Sequence, residues 1–396
     1  MAVGSSTEKR KFICIFTCLF VSLHRQTGTI DLETMFFEHI SAEVVLFFIL
    51  YGITGVVPAI AAVYLLLRKG NAFAPDITPP IRLRRWAAAF FAVASLGHVW
   101  WLLLYVFSFE IYSPAYVVVV AFDCMTLLTT IAGTLLSMLQ DRKRSVWPVL
   151  VALIPFAALF GAFMAYPGNL VKQTAIAYLL LLFVSFTIYM LFAVWRYGRW
   201  LKDNYADLEN KKVWLSQVVT LGCSLLLIIY ILADTSSIIL IYFMHLTELI
   251  IFGILLWRVE TLPQLPTPAQ QPQQPQQPMA VPSKIEQLLA KHCVESRLYL
   301  QRDLTLQQLA QAIGINRFYL SQYFSSQGIT YNVYINDLRI NHFMSLYEKA
   351  TAAGQTIIAQ QLAQESGYRS YSTFSLAFKQ RTGQSVTAWM RSTAAG

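Results

Sequence analysis

Residues 307–314 read QQLAQAIG, and residues 360–367 read QQLAQESG. Each copy places leucine and alanine on one face of a short helix and ends at a glycine, Gly314 or Gly367, which tolerates the left-handed backbone of a tight turn. A second stretch of helically spaced apolar residues follows each glycine. The repeat therefore predicts a helix, a turn and a second helix, present twice in the last third of the chain.

The segment between the two copies, residues 331–350, also has apolar residues at helical spacing. One long helix there would fix the separation of the two units. Paired units of this kind suit successive major-groove segments, which lie about 34 Å apart along B-DNA.

The rest of the chain has a different composition. The protein has 396 residues, of which 56% are hydrophobic and 13% are charged. A soluble domain carries about 25% charged residues. The apolar excess lies before residue 260 and forms runs near the roughly 20 residues that span a bilayer. We therefore predict an all-α protein with a membrane bundle and a helical cytoplasmic domain.

Seven apolar runs are candidate membrane spans. The loops after the first, third, fifth and seventh runs carry lysines and arginines, whereas the alternate loops carry almost none. Basic loops mark the cytoplasmic side, so the pattern predicts a bacterial inner-membrane protein with its N-terminus outside and its C-terminus in the cytoplasm. The seven runs cover residues 43–67, 86–109, 116–139, 146–166, 174–195, 213–233 and 238–257.

Residues 1–40 have two interpretations. A basic Lys9-Arg10-Lys11 triplet precedes a short apolar stretch, which is the order of a signal peptide. Alternatively, Met35 is the true start and the preceding residues are not part of the mature protein.

Four ionisable residues lie inside the predicted spans: His98, Asp123, His245 and Glu248. Such groups are costly at membrane depth and usually face the bundle interior or a water-filled cavity. They are candidates for sensing a ligand or a proton, and the alternative is interhelical hydrogen bonding that holds the bundle together. The sequence alone does not show whether these residues, which lie on separate helices, are close in space. None of the five cysteines forms a CxxC pair either, so we predict no metal site and no cofactor.

The predicted domains follow from these patterns. A sensor domain at residues 41–259 precedes a linker at residues 260–282, where prolines alternate with glutamines and favour extended polyproline II. Residues 283–396 contain 11 lysines and arginines against 6 acidic residues, a net +5 that suits phosphate binding.

Two further motifs carry a family resemblance. Residues 367–385 read GYRSYSTFSLAFKQRTGQS, which combines Gly-aromatic, a Ser-rich helix start, Phe-Lys and Gly-x-Ser, and residues 337–340 read DLRI. With these motifs, residues 285–391 resemble the AraC family of bacterial transcription regulators. The resemblance implies seven helices with two helix-turn-helix units.

The resemblance also implies which side chains face DNA. In the first unit Phe318, Ser321 and Gln322 would face bases, and Gln322 could read adenine. In the second unit Tyr371, Ser372, Thr373 and Leu376 would face bases. The candidate phosphate contacts are Arg317, Ser370, Lys379 and Arg381, and Asn316 and Arg369 are further DNA-binding candidates near the two helix starts.

Three positions depart from the family pattern. Val386 stands where proline is usual, Leu376 replaces a basic residue found in some members, and residues 324–328 are one residue short. Because Leu376 cannot donate a hydrogen bond to a base, we expect the first unit to carry more of the base specificity.

These patterns predict a membrane-bound transcription regulator that binds double-stranded promoter DNA when its bundle senses a small-molecule or membrane signal. A lipid bilayer, a homodimer and RNA polymerase complete the partners that we consider. No catalytic motif is present, so we expect no enzyme activity. The alternatives are a transporter or other membrane protein with a regulatory DNA-binding tail, and a regulator whose bundle is only an anchor.

Overall fold

The computed structural model describes residues 42–68, 70–107, 113–208, 211–233, 238–265 and 282–395. Among these residues the regular elements are helices, and the one β-type pairing is an isolated bridge between Tyr205 and Thr305. The prediction of an all-α fold is thereby confirmed. The predictions for residues 1–40 and for most of the proline-rich linker concern residues outside the described ranges.

The chain divides into two compact units. The first comprises residues 1–194 and 213–265, and the second comprises residues 195–212 and 266–396. Residues 195–212, which the sequence analysis places in the sensor domain, are therefore grouped with the C-terminal domain.

Each of the seven apolar runs forms a helix. Six of these helices are long and apolar enough to cross a membrane, whereas α6 contributes the shorter apolar stretch Trp214–Ile229, so its crossing stays a prediction. The helices are α1 (Ala42–Leu67), α2 (Ile81–Val106), α3 (Pro114–Ser137), α4 (Trp147–Ala165), α5 (Asn169–Asn204), α6 (Trp214–Ala233) and α7 (Ile238–Thr261).

Helices α1, α2 and α7 pack against one another, and α3 packs on α2. Small residues permit this closeness. A Cβ at Gly55 of α1 would lie 3.3 Å from the Cβ of His98, and one at Gly133 of α3 would lie 2.3 Å from the Trp86 ring. Large apolar side chains on the outward faces are exposed, among them Leu66, Ile154 and Phe192, as the hydrocarbon of a bilayer requires.

The loops after α1 and α3 meet the end of α7. Arg68 pairs with Glu260, Gln140 Nε2 donates to the Pro263 carbonyl at 2.9 Å, and Gln264 N donates to the Thr78 carbonyl at 2.9 Å. Because these loops carry basic clusters, their grouping at one end of the first unit agrees with the charge pattern. Which side of the membrane that end faces stays a prediction.

Within the described residues 282–395 of the second unit there are seven α-helices, the number that the family resemblance implies. A π-helix (Ala290–Glu295) and a 3-10 turn (Leu298–Leu300) follow the first of them. The helices are α8 (Pro282–Leu289), α9 (Leu306–Ala312), α10 (Arg317–Ser326), α11 (Tyr331–Ala352), α12 (Ala359–Glu365), α13 (Tyr371–Thr382) and α14 (Val386–Ala395).

Two apolar cores share α11. Its first half contributes Tyr331 and Ile335 to a core with α8, α9 and α10, and its second half contributes Ile340 and Phe343 to a core with α12, α13 and α14. The predicted long connecting helix therefore exists and forms part of both helix-turn-helix units.

Candidate nucleic-acid interface and membrane polar cluster

The turns of the two copies have the same construction. Gly314 and Gly367 have φ values of 71° and 88°, the left-handed region that favours glycine. After each glycine, a backbone N–H reaches back to a repeat alanine, from Ile315 to Ala310 at 3.0 Å and from Tyr368 to Ala363 at 3.1 Å. This six-to-one bond ends the helix and sets the direction of the next one.

Helix α10 is the first candidate recognition helix. Asn316 caps it, because its side chain accepts a hydrogen bond from Phe318 N at 2.8 Å. Leu320 and Phe324 are buried in the first core, which leaves Phe318 and Gln322 exposed and Ser321 half-buried. Phe318 is 67% exposed, and its contact with DNA stays a prediction.

Arg317 has a different environment from its neighbours on α10. Its guanidinium donates a hydrogen bond to the side-chain oxygen of Asn204, the last residue of α5. Burial lowers the pKa of Arg317 and raises the pKa of the neighbouring Tyr205 to about 12. Both residues still keep their usual protonation states at neutral pH, so Arg317 is a partly buried cation that is held by an amide.

The residues after Asn204 bind the first helix-turn-helix unit through their backbone. Ala206 N donates to the Leu304 carbonyl at 3.4 Å, and Asn332 Nδ2 donates to the Ala206 carbonyl at 2.6 Å. The Ala206 side chain is 2% exposed within the first core. We call residues 204–206 the docking segment. Nothing in its sequence resembles a known motif, and the sequence analysis missed it.

Helix α13 is the second candidate recognition helix. Ser370 caps it by accepting from Thr373 N at 3.3 Å, and the Tyr371 ring packs on Phe374 of the second core. These two candidates therefore stabilise the helix, and their contact with DNA stays a prediction. Ser372 and Leu376 are exposed, and Thr373 is half-buried.

The basic candidates around α13 are loosely paired. Arg381 Nε lies 2.7 Å from Asp337 Oδ1, and Arg369 lies 3.8 Å from Asp303, with about half of each arginine side chain exposed. Exposed pairs of this kind contribute little, typically under about 1 kcal/mol. Arg369, Lys379 and Arg381 are exposed, and their contact with phosphates stays a prediction.

Arg339 joins the two helix-turn-helix units of the C-terminal domain. The DLRI motif that contains it does not predict this role. The side chain is 1% exposed and donates from Nε to the Tyr299 carbonyl and from Nη2 to the Gln301 carbonyl, each at 2.7 Å. Its guanidinium also lies 5.5 Å from the ring centre of Tyr368, after the second turn. Burial lowers the pKa of Arg339 from its usual value.

The departures from the family pattern do not interrupt the helices. Helix α14 begins at Val386, which is 1% exposed in the second core, and Ser385 Oγ accepts from Ala388 N at 3.2 Å. Helix α10 ends before Gly328, whose φ is 68°. Proline is therefore not needed at position 386 to start α14.

In the bundle of apolar helices, three of the four ionisable candidates lie close together. Glu248 Oε2 lies 3.3 Å from His245 Nδ1 and 3.6 Å from His98 Nε2. Thr54 of α1 lies between the imidazoles, with its hydroxyl 3.0 Å from His98 Nε2 and 3.1 Å from His245 Nδ1. We call His98, His245, Glu248 and Thr54 the polar cluster.

The fourth candidate, Asp123, lies beside the polar cluster and outside it. Its carboxylate accepts a hydrogen bond from Trp101 and lies against Gly97, where an added Cβ would be 3.0 Å from Oδ1. The i, i+3 spacing correctly predicts that His245 and Glu248 share a helix face, whereas Thr54 was missed because threonine is common in membrane helices.

Comparison with known proteins supports the assignment of the C-terminal domain as a helix-turn-helix domain. A family model described as a helix-turn-helix domain matches residues 309–392, and this match confirms the resemblance of that segment to AraC-type regulators. No curated protein and no solved structure shows significant similarity to the chain. Residues 309–392 are thus a DNA-binding domain of the helix-turn-helix type, in a chain that also has six helices able to cross a membrane.

Proposed function

We propose that the protein is a membrane-bound transcription regulator that binds promoter DNA through α10 and α13 in response to a signal sensed by the bundle. The helix-turn-helix match and the apolar helices support the two halves of this function. The observation that connects the two halves is the docking segment, which begins at the last residue of α5 and contributes Ala206 to the core of the first helix-turn-helix unit.

The docking segment gives the bundle a physical route to the DNA-binding surface. Arg317, a candidate phosphate contact, is bonded to Asn204. A guanidinium held by an amide must exchange that bond when it turns to a phosphate. A signal that moves the end of α5 would therefore change how readily α10 binds DNA. The state with Arg317 bonded to Asn204 and the state with Arg317 on a phosphate would differ in their contacts. A ligand can shift an equilibrium only between states that differ in this way.

The polar cluster favours a sensor over a mere anchor. Two histidines, a carboxylate and a hydroxyl from three helices meet in the interior of the first unit. Anchoring needs no such group, and ionisable groups at membrane depth commonly mark functional sites. The protein would act on a promoter alone, as a homodimer or together with RNA polymerase.

Reporter transcription and promoter occupancy test the DNA assignment. The double variant Gln322→Ala plus Thr373→Ala removes one polar side chain from each recognition helix. It should abolish both reporter transcription and promoter occupancy. The matched control is Gln355→Ala plus Thr356→Ala, the same residue types exposed in the loop between α11 and α12. Wild-type occupancy by the Gln322/Thr373 variant would contradict the proposed function.

A second experiment separates a sensor from an anchor. Replacing the bundle with one unrelated membrane span should keep DNA binding and abolish the response to the signal. A retained response would favour the anchor. Substrate flux in vesicles would favour a transporter with a regulatory tail.

A further inference from the structure

The polar cluster has the composition of a metal site. It offers two imidazole nitrogens and one carboxylate oxygen, and these three ligand atoms lie within 4.8 Å of one another. Zn²⁺ and similar ions bind such His₂Glu sets in proteins. The ligands come from α2 and α7, with the Thr54 hydroxyl of α1 beside them.

The hydrogen bonds around His98 fix which nitrogen carries the proton. His98 Nδ1 lies 2.9 Å from the Ala94 carbonyl, which can only accept, so Nδ1 is the protonated nitrogen. In the neutral imidazole, Nε2 therefore presents a lone pair to Thr54 and Glu248. A backbone carbonyl on the far nitrogen is also the usual way in which metal-ligating histidines are oriented.

The Thr54 hydroxyl has several acceptors within reach of its single hydrogen. They are the carbonyls of Leu50 at 2.9 Å and Tyr51 at 3.1 Å, one turn earlier in α1, and the two imidazoles. When the hydrogen points to one of the carbonyls, the hydroxyl presents lone pairs to both imidazoles. The Glu248 carboxylate is also an acceptor.

In that arrangement, and with both imidazoles neutral, the cluster has more acceptors than donors. His98 Nε2, Thr54 Oγ1 and Glu248 Oε2 are then acceptors, and His245 can bring at most one proton from Nδ1. Buried acceptors that face one another without a donor are unfavourable. His245 is 2% exposed and Thr54 is fully buried, and a cation at the centre would satisfy all of these acceptors at once.

The distances favour a metal ion over an extra proton. Four ligands at about 2.05 Å from Zn²⁺ in a tetrahedron are roughly 3.3 Å apart. The two nitrogen–carboxylate separations are 3.3 and 3.6 Å. Imidazole ligands suit Zn²⁺, Ni²⁺ or Cu²⁺, whereas Mg²⁺ and Ca²⁺ prefer oxygen alone.

The surroundings hold the ligands in place. The Tyr51 ring lies 5.0 Å from the His98 ring and 5.9 Å from the His245 ring, and its hydroxyl donates to the His98 carbonyl. The Glu248 side chain is 21% exposed, the most open of the three ligands.

We propose that His98, His245 and Glu248 bind a first-row divalent transition-metal ion, Zn²⁺ by ligand type, with Thr54 or water in the fourth position. The ion would join α2 to α7 across α1. As a signal it would act on the bundle that we propose to control DNA binding, and this regulatory step alone rests on the proposed function.

Metal binding is testable without DNA. Full-length protein in lipid nanodiscs, stripped with a chelator, should bind one Co²⁺ per chain with the visible d–d bands of a four-coordinate site, and Zn²⁺ should displace it. The isosteric Glu248→Gln should weaken binding at least about 100-fold, because loss of a direct ligand exceeds the 10–100-fold effect of outer partners. Thr54→Val, of similar volume, should weaken binding about 10-fold.

The control is His292→Ala, which replaces a histidine of the C-terminal domain. This variant should bind Co²⁺ like the wild type. X-ray absorption of the Zn²⁺-loaded wild type needs no variant and should show two imidazoles and one carboxylate. Absence of d–d bands, or equal binding by Glu248→Gln, would overturn the site. Loss of Co²⁺ binding by His292→Ala would also overturn it.

Reporter output with and without Zn²⁺ tests the regulatory step. A Zn²⁺ response that Glu248→Gln loses and His292→Ala keeps would support the ion as the signal. Metal binding with an unresponsive reporter and normal promoter occupancy would overturn only the signalling role. Absent promoter occupancy would instead contradict the proposed function.

Discussion

The two helix-turn-helix copies have the same repeat and the same glycine turn, but their surroundings differ. The first helix of copy one begins with a reciprocal capping box between Thr305 and Gln308, whereas in copy two Ile358 provides no side-chain cap. The docking segment contacts the first copy, and Arg317 is bonded to Asn204. In the second copy, the described ion pairs of Arg369 and Arg381 are with exposed or half-exposed aspartates. The two copies therefore share a scaffold and differ in the residues that contact their recognition helices.

The largest expected effect concerns the residue that joins the copies. Arg339→Ala leaves the Tyr299 and Gln301 carbonyls without their donor and opens a cavity beside Tyr368. We expect a loss of about 3 kcal/mol or more in the stability of the C-terminal domain. Pulse proteolysis of the full-length protein in urea measures it.

The exposed Arg391 provides the control, since Arg391→Ala should change stability little. If Arg339→Ala is as stable as Arg391→Ala, the two copies do not depend on this arginine.

The next effect concerns base reading. Gln322→Ala should reduce discrimination at one operator position by about 1–3 kcal/mol, the value of a bidentate contact. Thr373→Ala should cost less, because a hydroxyl and a methyl provide weaker readout. Binding to operators with single base changes measures both. Equal or larger losses from Thr373→Ala would reverse the expected ranking of the copies.

A smaller effect should follow release of the docking segment. Asn332→Ala removes the amide that donates to the Tyr205 and Ala206 carbonyls, and two neutral hydrogen bonds at about 0.5 kcal/mol each contribute about 1 kcal/mol together. If docking competes with DNA binding by α10, promoter affinity should rise about five-fold. Electrophoretic mobility shifts with the full-length protein measure it.

Asn341→Ala changes the same residue type at an exposed position of α11 and should leave affinity unchanged. Reduced affinity of Asn332→Ala would indicate that the docking segment supports DNA binding instead of opposing it.

The smallest effect is a pH dependence at His342 of α11. Burial, followed by the charges of Arg297 and Lys349, lowers the pKa of His342 below its usual value near 6.5. On acidification the unfolded chain therefore takes up this proton first, so the stability from neutral His342 declines as the pH falls below about 6.5. Urea unfolding between pH 7.5 and 5.5 should show a shallower dependence of stability on pH for His342→Gln, while Asn341→Ala, which changes no titratable group, should keep the wild-type dependence.

Local chemistry was enough to predict much of the fold. Apolar runs of membrane length predicted the positions of seven helices, and the glycine-ended repeats predicted both turns, because these features depend on neighbouring residues alone. The i, i+3 spacing predicted that His245 and Glu248 share a helix face for the same reason. The crossing by α6, the orientation and the DNA contacts remain predictions.

The sequence by itself determined the helical class, the apolar bundle and the doubled DNA-binding scaffold, since periodicity and glycine placement are local properties. Only the tertiary structure decided that Thr54, His98 and Glu248 meet, that Arg339 serves both copies, and that Asn204 holds Arg317. These contacts join residues between 29 and 150 positions apart in the chain. No short-range pattern encodes such a distance, because it results from how whole helices pack.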